Sequence, residues 1–247
     1  MTIKIFNKKL NLNSHNNVVL FSDLNFNIKG LDTLPFRKYK TLIEKSINLN
    51  KPNIKDFHSL DLSSSLKIII IKITEDISLT KHNEKLGAKF YDYLNSNSIY
   101  KSSLIDSNVS FFVQKNSDFI DEFISGIFIK SYNFEKYKTK KNLKSFFINL
   151  SGNLKINFFK KNNKFKSLID GLYLTKDLVS EPGNILHPDE YINRIRKLRL
   201  LGLKVTILDK RKMKKLGMNA LLGVGQGSIR GSYLATIEWK GSNKKKQ

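Results

Sequence analysis

Two apolar runs, Val18-Val-Leu-Phe21 and Leu66-Lys-Ile-Ile-Ile-Ile-Lys-Ile73, lack the alternation of a half-solvated strand. Short, β-branched runs of this kind predict strands covered on both faces of a mixed or parallel sheet. From Glu84 to Leu94, Leu86, Phe90 and Leu94 recur every four residues and predict an amphipathic helix. Phe111-Phe-Val113 reads as a further strand. Between Ser117 and Lys130, the positions Phe119, Ile120, Phe123, Ile124, Ile127 and Phe128 give a helix apolar over a broad face. Asp118, Asp121 and Glu122 stand in its first turns, where the helix dipole favours acid. Strands alternating with helices over the first 160 residues predict an α/β domain.

Residues 151–166 are polar and basic and read as a connection, dividing the chain into 1–160 and 161–247. Beyond it, Phe165, Leu168, Ile169, Leu172 and Leu178 or Val179 predict a helix ending near Ser180-Glu-Pro182, because proline disfavours helix in the residue before it. Pro188 suits the first turn of the next helix, with Asp189 and Glu190 beside it and Tyr191, Ile195 and Leu198 as its inner stripe. Gly202 is placed to adopt a left-handed cap. Lys204 to Leu208 predicts a strand, Asp209 the N-cap of a short helix to Leu216, and Gly217 its C-terminal cap. The glycines of Gly223-Val-Gly-Gln-Gly-Ser228 predict a tight connection with positive φ, followed by a strand over Ser232–Trp239.

Composition adds one strong feature. Lys and Arg total 44 against 21 Asp and Glu, a net charge of +23. Such a balance points to nucleic acid, an anionic membrane surface or an acidic partner. Residues 130–166 carry eleven lysines against the single Glu135, and residues 194–215 carry ten basic residues against the single Asp209. Aromatics interleave with lysines from Lys130 to Lys141, a pattern that fits stacked bases or inward-packed rings beside solvated lysines. Abundant Asn, Ile, Lys and Phe also match AT-rich codon usage, which raises lysine without any partner.

Other chemistry is sparse. There is no cysteine, which excludes disulfides and thiolate metal sites. The N-terminal residues lack the apolar centre of a secretory signal, and the run Ile68 to Ile71 is too short to span a bilayer. The four histidines, His15, His58, His82 and His187, are scattered, and His187 reads as a helix N-terminal residue. No serine sits in a Gly-x-Ser-x-Gly turn. The Gly223–Ser228 segment lacks the Gly-Lys-Ser/Thr ending of a phosphate-binding loop.

Two segments carry a family resemblance: Lys176-Asp-Leu-Val-Ser-Glu-Pro-Gly-Asn-Ile-Leu-His-Pro188 and Lys215-Leu-Gly-Met-Asn-Ala-Leu-Leu-Gly-Val-Gly-Gln-Gly-Ser228. With Val205 to Asp209 between them and Glu238-Trp-Lys-Gly241 after them, they resemble the leucyl aminopeptidases, the cytosolic two-metal peptidases. The match covers residues 177–241, with a softer likeness over 126–141. Gly183 replaces a second proline, and His187 stands where threonine often caps the helix.

The resemblance implies a macro-like α/β N-terminal domain followed by the truncated start of an α/β/α metallopeptidase domain. It also implies peptide substrates, a cytoplasmic homohexamer, and two divalent ions, manganese or zinc, that activate water and polarise the scissile carbonyl. Family ligands come from Val-Gly-Lys-Gly, Phe-Asp-x-Gly-Gly and Asn-Thr-Asp-Ala-Glu-Gly-Arg motifs, none of which occurs here. No catalytic, cofactor-binding or metal residue is therefore assigned, and the chain alone is expected to be inactive. The family pattern places the first metal-site strand just beyond Gln247, so the strand over 232–239 is expected to present an unpaired edge. The alternatives are a module derived from an aminopeptidase that assembles or regulates, or one that binds DNA weakly through Lys130–Lys144 and Arg194–Lys215.

Overall fold

Ile68 to Ile71, the longest aliphatic run, lie on an inner strand of a six-stranded sheet and are fully buried. Burying one such side chain contributes about 1.5–3 kcal/mol. The strands are β1 (Thr2–Asn7), β2 (Asn16–Ser22), β3 (Phe57–Ser63), β4 (Leu66–Lys72), β5 (Lys101–Ile105) and β6 (Ser145–Ser151). Their order is β1-β6-β5-β2-β4-β3, parallel throughout except for the antiparallel β3–β4 pair. This computed structural model describes residues 2–10, 16–33, 37–73, 79–105, 108–109, 112, 118–140, 144–152 and 164–241. The chain forms two compact units, residues 1–174 and 175–247.

In the first unit, alternation along the strands builds two cores. Val19, Phe21, Ile69, Ile71, Phe146, Ile148 and Leu150 face α2 (Thr80–Ser96) and α3 (Phe119–Ser131). Val18, Leu20, Ile68 and Ile70 face α1 (Lys40–Asn50) through Ile43 and Ile47. The broad apolar face expected of α3 is buried, with Phe119 and Phe123 edge-on to Phe21 at centroid distances of 5.4 and 5.5 Å. Helices α2 and α3 cross at two glycines. A Cβ on Gly87 would fall 1.9 Å from the Phe123 carbonyl oxygen, and one on Gly126 would fall 1.9 Å from that of Glu84. Asn108, fully buried, accepts from the Phe21 N–H (2.7 Å) and donates to the Phe21 carbonyl (2.6 Å).

Helix α4 (Lys164–Ser180) ends where Pro182 predicts. The second unit begins within α4, at Thr175, and holds α5 (Pro188–Lys197), a 3-10 turn at Leu198–Leu201, β7 (Lys204–Asp209), α6 (Lys210–Lys215), α7 (Asn219–Gly225) and β8 (Tyr233–Glu238). Strands β7 and β8 pair antiparallel. Gly202 and Gly217 adopt the expected positive φ, 84° and 71°. Asp209 caps α6 by accepting from the Lys212 N–H at 2.8 Å.

Four expectations need correction. The glycines of 223–228 do not form a positive-φ loop. Asn219-Ala-Leu-Leu starts α7, which runs through Gly223 to Gly225, and none of the three glycines is among the positive-φ residues. In α5 the inward stripe is turned by one residue, so that Ile192 is buried and Tyr191 exposed. In α4 the buried positions are Phe165 and Ile169, while Leu168 and Val179 are exposed. Tyr137 does not pack inward; it is half-exposed against Phe134 and beneath the Lys136 ammonium. The strand expected at 111–113 lies outside the described residues, apart from Phe112 in a turn.

Candidate functional site

The segment from Glu181 to Arg194 concentrates the polar order of the second unit. Pro182 accepts from the amides of Ile185 and Leu186, both at 2.9 Å, which folds the chain back before α5. His187 sits at the N-cap in extended conformation with Pro188 at the first helical position. The Glu181 side chain is 1% exposed, and Arg194 holds it with Nη1 at 2.9 Å while its Nε donates to Glu190 at 3.0 Å. One guanidinium therefore ties the turn to the helix. Arg194 hydrogen-bonding holds the Glu190 carboxyl below the usual range.

Beside this clasp lies a cavity of about 480 Å³ lined by Leu178, Leu186, His187, Tyr191, Ile192 and Tyr233, among others. Two of its polar lining residues, His187 and Tyr233, meet at Asp189. The Tyr233 hydroxyl donates to Asp189 Oδ1 at 2.6 Å, and His187 Nδ1 lies 3.4 Å from Asp189 Oδ2. The Tyr233 hydrogen bond, helped by the neighbouring His187, holds the Asp189 carboxyl low, and Asp189 in turn pushes the Tyr233 phenol up. The Tyr233–Asp189 bond joins β8 to α5.

Two divalent ions need several converging carboxylate or imidazole donors. Among the described residues no group of three or more His, Asp or Glu side chains converges, so they do not fit such a centre. His58 is half-buried against Ser46 Oγ at 3.0 Å, where burial lowers its pKa. His15 lies outside the described residues. The glycine-rich segment offers no anion cradle: the amides of Gln226 and Ser228 donate to the carbonyls of Gly223 and Gly225. Its closest constraint is steric, since a Cβ on Gly225 would meet Ser232 Oγ at 2.1 Å.

The two basic stretches lie apart in sequence, residues 130–166 in the first unit and 194–215 in the second. Lys136, Lys138 and Lys140 are exposed on the segment after α3, and residues 141–143 and 153–163 are outside the described set. Arg196, Lys197, Lys204, Lys210, Arg211, Lys212, Lys214 and Lys215 are exposed on α5, β7 and α6. Sequence reasoning missed the Glu181–Arg194–Glu190 clasp and the Tyr233–Asp189 bond. Only the Glu190/Arg194 spacing of four residues could have indicated one of these contacts. Among the described residues no helix is long and apolar enough to cross a membrane.

Residues 173–247 match the model of the cytosol aminopeptidase family, catalytic domain. A probable cytosol aminopeptidase of Phytoplasma australiense is 38% identical over 139 residues, covering 53% of this chain and 27% of that protein. One of Rhizobium leguminosarum bv. trifolii is 29% identical over 227 residues, covering 83% of this chain and 43% of that protein. The chain thus spans less than half the length of either relative. A mutant of tomato leucine aminopeptidase shares the fold with a TM-score of 0.73 at 16% identity, covering 100% of this chain and 52% of that one. The clasp and cavity of the second unit lie within the matched catalytic-domain region, the sheet of the first unit within the wider structural match, and the chain is related to the N-terminal portion of the leucyl, or cytosol, aminopeptidases.

Proposed function

We propose that this chain is the N-terminal part of a metal-dependent, cytoplasmic leucyl-type aminopeptidase that removes the first residue from peptides and works as a homohexamer. The observation that carries the reading is the match of residues 173–247 to the family's catalytic domain. In this reading residues 1–160 are the accessory domain and 161–247 begin the catalytic one. The two manganese or zinc ions are held by motifs absent from this sequence, so no residue here is given a metal-holding role and the chain alone is inactive. Its own contribution is scaffolding: the Glu181–Arg194–Glu190 clasp and the Asp189–Tyr233 bond fix α5 and β8.

The test measures leucine release from a chromogenic leucine amide with added manganese or zinc. The isolated chain should give none, and the reading frame beyond Gln247 should run into the metal motifs. An active polypeptide translated from that longer frame supports the reading. Turnover by the isolated chain that survives repurification and follows the metal overturns the claim of inactivity, and a genuine stop codon after Gln247 overturns the peptidase assignment. A second reading, weak duplex DNA binding, is favoured by the exposed basic residues of α5 and α6. Replacing Lys212 and Lys214 by Gln should flatten its salt dependence, and an unchanged slope rejects it.

A further inference from the structure

The β1–β6 edge of the first unit carries an arrangement that the proposed function leaves unused. Alternation sends Ile3, Ile5, Phe146, Ile148 and Leu150 toward α2 and α3, and turns Lys4, Phe6, Phe147 and Asn149 to the opposite face. On that opposite face β2 and β4 are covered by α1, but Phe6 and Phe147 belong to neither core and are half-buried. Their rings come from adjacent strands, 6.2 Å between centroids and 13° from parallel. An ammonium lies over each: Lys8 Nζ 5.5 Å from the Phe6 ring and Lys4 Nζ 5.7 Å from the Phe147 ring. Both lysines are exposed, as is Lys101 on β5.

No Asp or Glu occurs in β1, β5 or β6. Asn149 fixes the backbone of Lys8 from both sides, accepting from its N–H at 2.9 Å and donating to its carbonyl at 3.0 Å. The face therefore combines two flat rings, held at a set spacing by strand register, with exposed lysines on and beside strands that carry no acid of their own.

The geometry points to a binding surface for single-stranded nucleic acid, with bases stacking on Phe6 and Phe147 and phosphates pairing with Lys4, Lys8 and Lys101. An arriving base takes the ring face from the ammonium, which swings outward to the backbone phosphate. Stacking requires unpaired bases, so the surface selects single strands over duplex. An acidic polypeptide would use the lysines but leave the ring faces idle. The surface belongs to the first unit and the basic helices α5 and α6 to the second, and the inference does not depend on the peptidase reading.

The test is fluorescence anisotropy of labelled oligo(dT) and oligo(U), each of roughly 12 nucleotides, with a duplex of equal length beside them. The full chain should bind both single strands better than the duplex. Phe6→Leu and Phe147→Leu, which keep the positions apolar, should each weaken single-strand binding roughly five- to tenfold at unchanged salt slope. Lys4→Gln and Lys8→Gln should each flatten the slope of log affinity against log salt by about 0.7. Circular dichroism melting verifies that each variant folds. Photo-crosslinking of a thiouridine-substituted oligo(U) to the unaltered chain gives a second readout, with crosslinks expected in residues 2–8 and 145–151. Equal affinity for duplex, indifference to both Phe replacements, or crosslinks confined to other segments would each overturn the proposal.

Discussion

Ile68 to Ile71 in β4 have no solvent exposure, whereas Leu200, Val224 and Ile229 in the second unit are 87%, 88% and 99% exposed. The contrast is one of closure. The first unit packs α2 and α3 on one face of its sheet and α1 against β2 and β4 on the other, so its stability comes from packed apolar area. The second unit buries only a few large apolar side chains, Ile192, Val205 and Met213 among them. Its order is carried by local polar devices: the Arg194 clasp, the Asp189–Tyr233 bond and the Asp209 cap. Core mutations should therefore dominate in one unit and polar mutations in the other. Native-state amide exchange should be slow along β2 and β4 and faster across β7 and β8, and equal protection would erase the contrast.

The largest effect is expected where the first unit is tightest. Gly126→Ala or Gly87→Ala places a Cβ against a backbone carbonyl that cannot move without separating α2 from α3. Each should cost more than about 3 kcal/mol in urea unfolding. Gly171→Ala in α4 is the control, because nothing lies within 4 Å of the added methyl. It should stabilise by roughly 0.5–1 kcal/mol through helix propensity. If Gly126→Ala behaves like Gly171→Ala, the α2–α3 crossing is not close-packed and the comparison fails.

Next in size is Arg194→Met. It leaves the Glu181 carboxylate, 1% exposed, without its guanidinium partner. Losing one member of a fully buried pair costs about 3–5 kcal/mol, and the partial exposure of Arg194 brings the expected loss nearer 2. Faster exchange should appear over residues 188–208 while β4 is unchanged. The double variant Glu181→Gln with Arg194→Met should recover part of the loss, since the buried charge is gone; no recovery would mean that the clasp acts through packing alone.

What the sequence disclosed follows the same division. Runs such as Ile68–Ile71 and the wide apolar face of α3 declare burial, and they mark the closed core correctly. Local backbone chemistry was equally readable, as the Asp209 cap and the left-handed Gly202 and Gly217 demonstrate. Long-range pairing was not. Strand β5 (Lys101–Ile105) was missed because Ser102 and Ser103 interrupt its apolar pattern, although both are buried in the sheet. Gly87 and Gly126 carry no local signal, since their role depends on a helix about forty positions away in the sequence. In the second unit the glycines of 223–227 suggested a loop, yet the helix formers Ala220, Leu221 and Leu222 extend α7 through them. The candidate site was legible as a family pattern over 177–241, while the Glu181–Arg194 pairing was invisible because it depends on the turn at Pro182.

The smallest expected effect concerns acid. Asp209 has a lowered pKa, chiefly because it accepts from the Lys212 amide, and Asp189 has one because Tyr233 donates to it. A carboxyl whose folded pKa is depressed contributes stability that is present above the ordinary aspartate range of about pH 4 and lost as pH falls through the folded value. In the first unit, Glu84 has the opposite sign. Burial and the nearby Glu122 raise its pKa, so protonating it as pH falls relieves a cost. Acidification should thus loosen α6 and the start of α5 before it loosens α2. Amide exchange followed from neutral pH to about pH 3, below the usual aspartate value, reads this directly once intrinsic exchange rates are corrected. Asp209→Asn sharpens the measurement: asparagine caps a helix about as well as aspartate but does not titrate. Protection of residues 212–215 should therefore become independent of acid in that variant, and if it still falls in step with the unaltered chain, the Asp209 cap is not what holds α6.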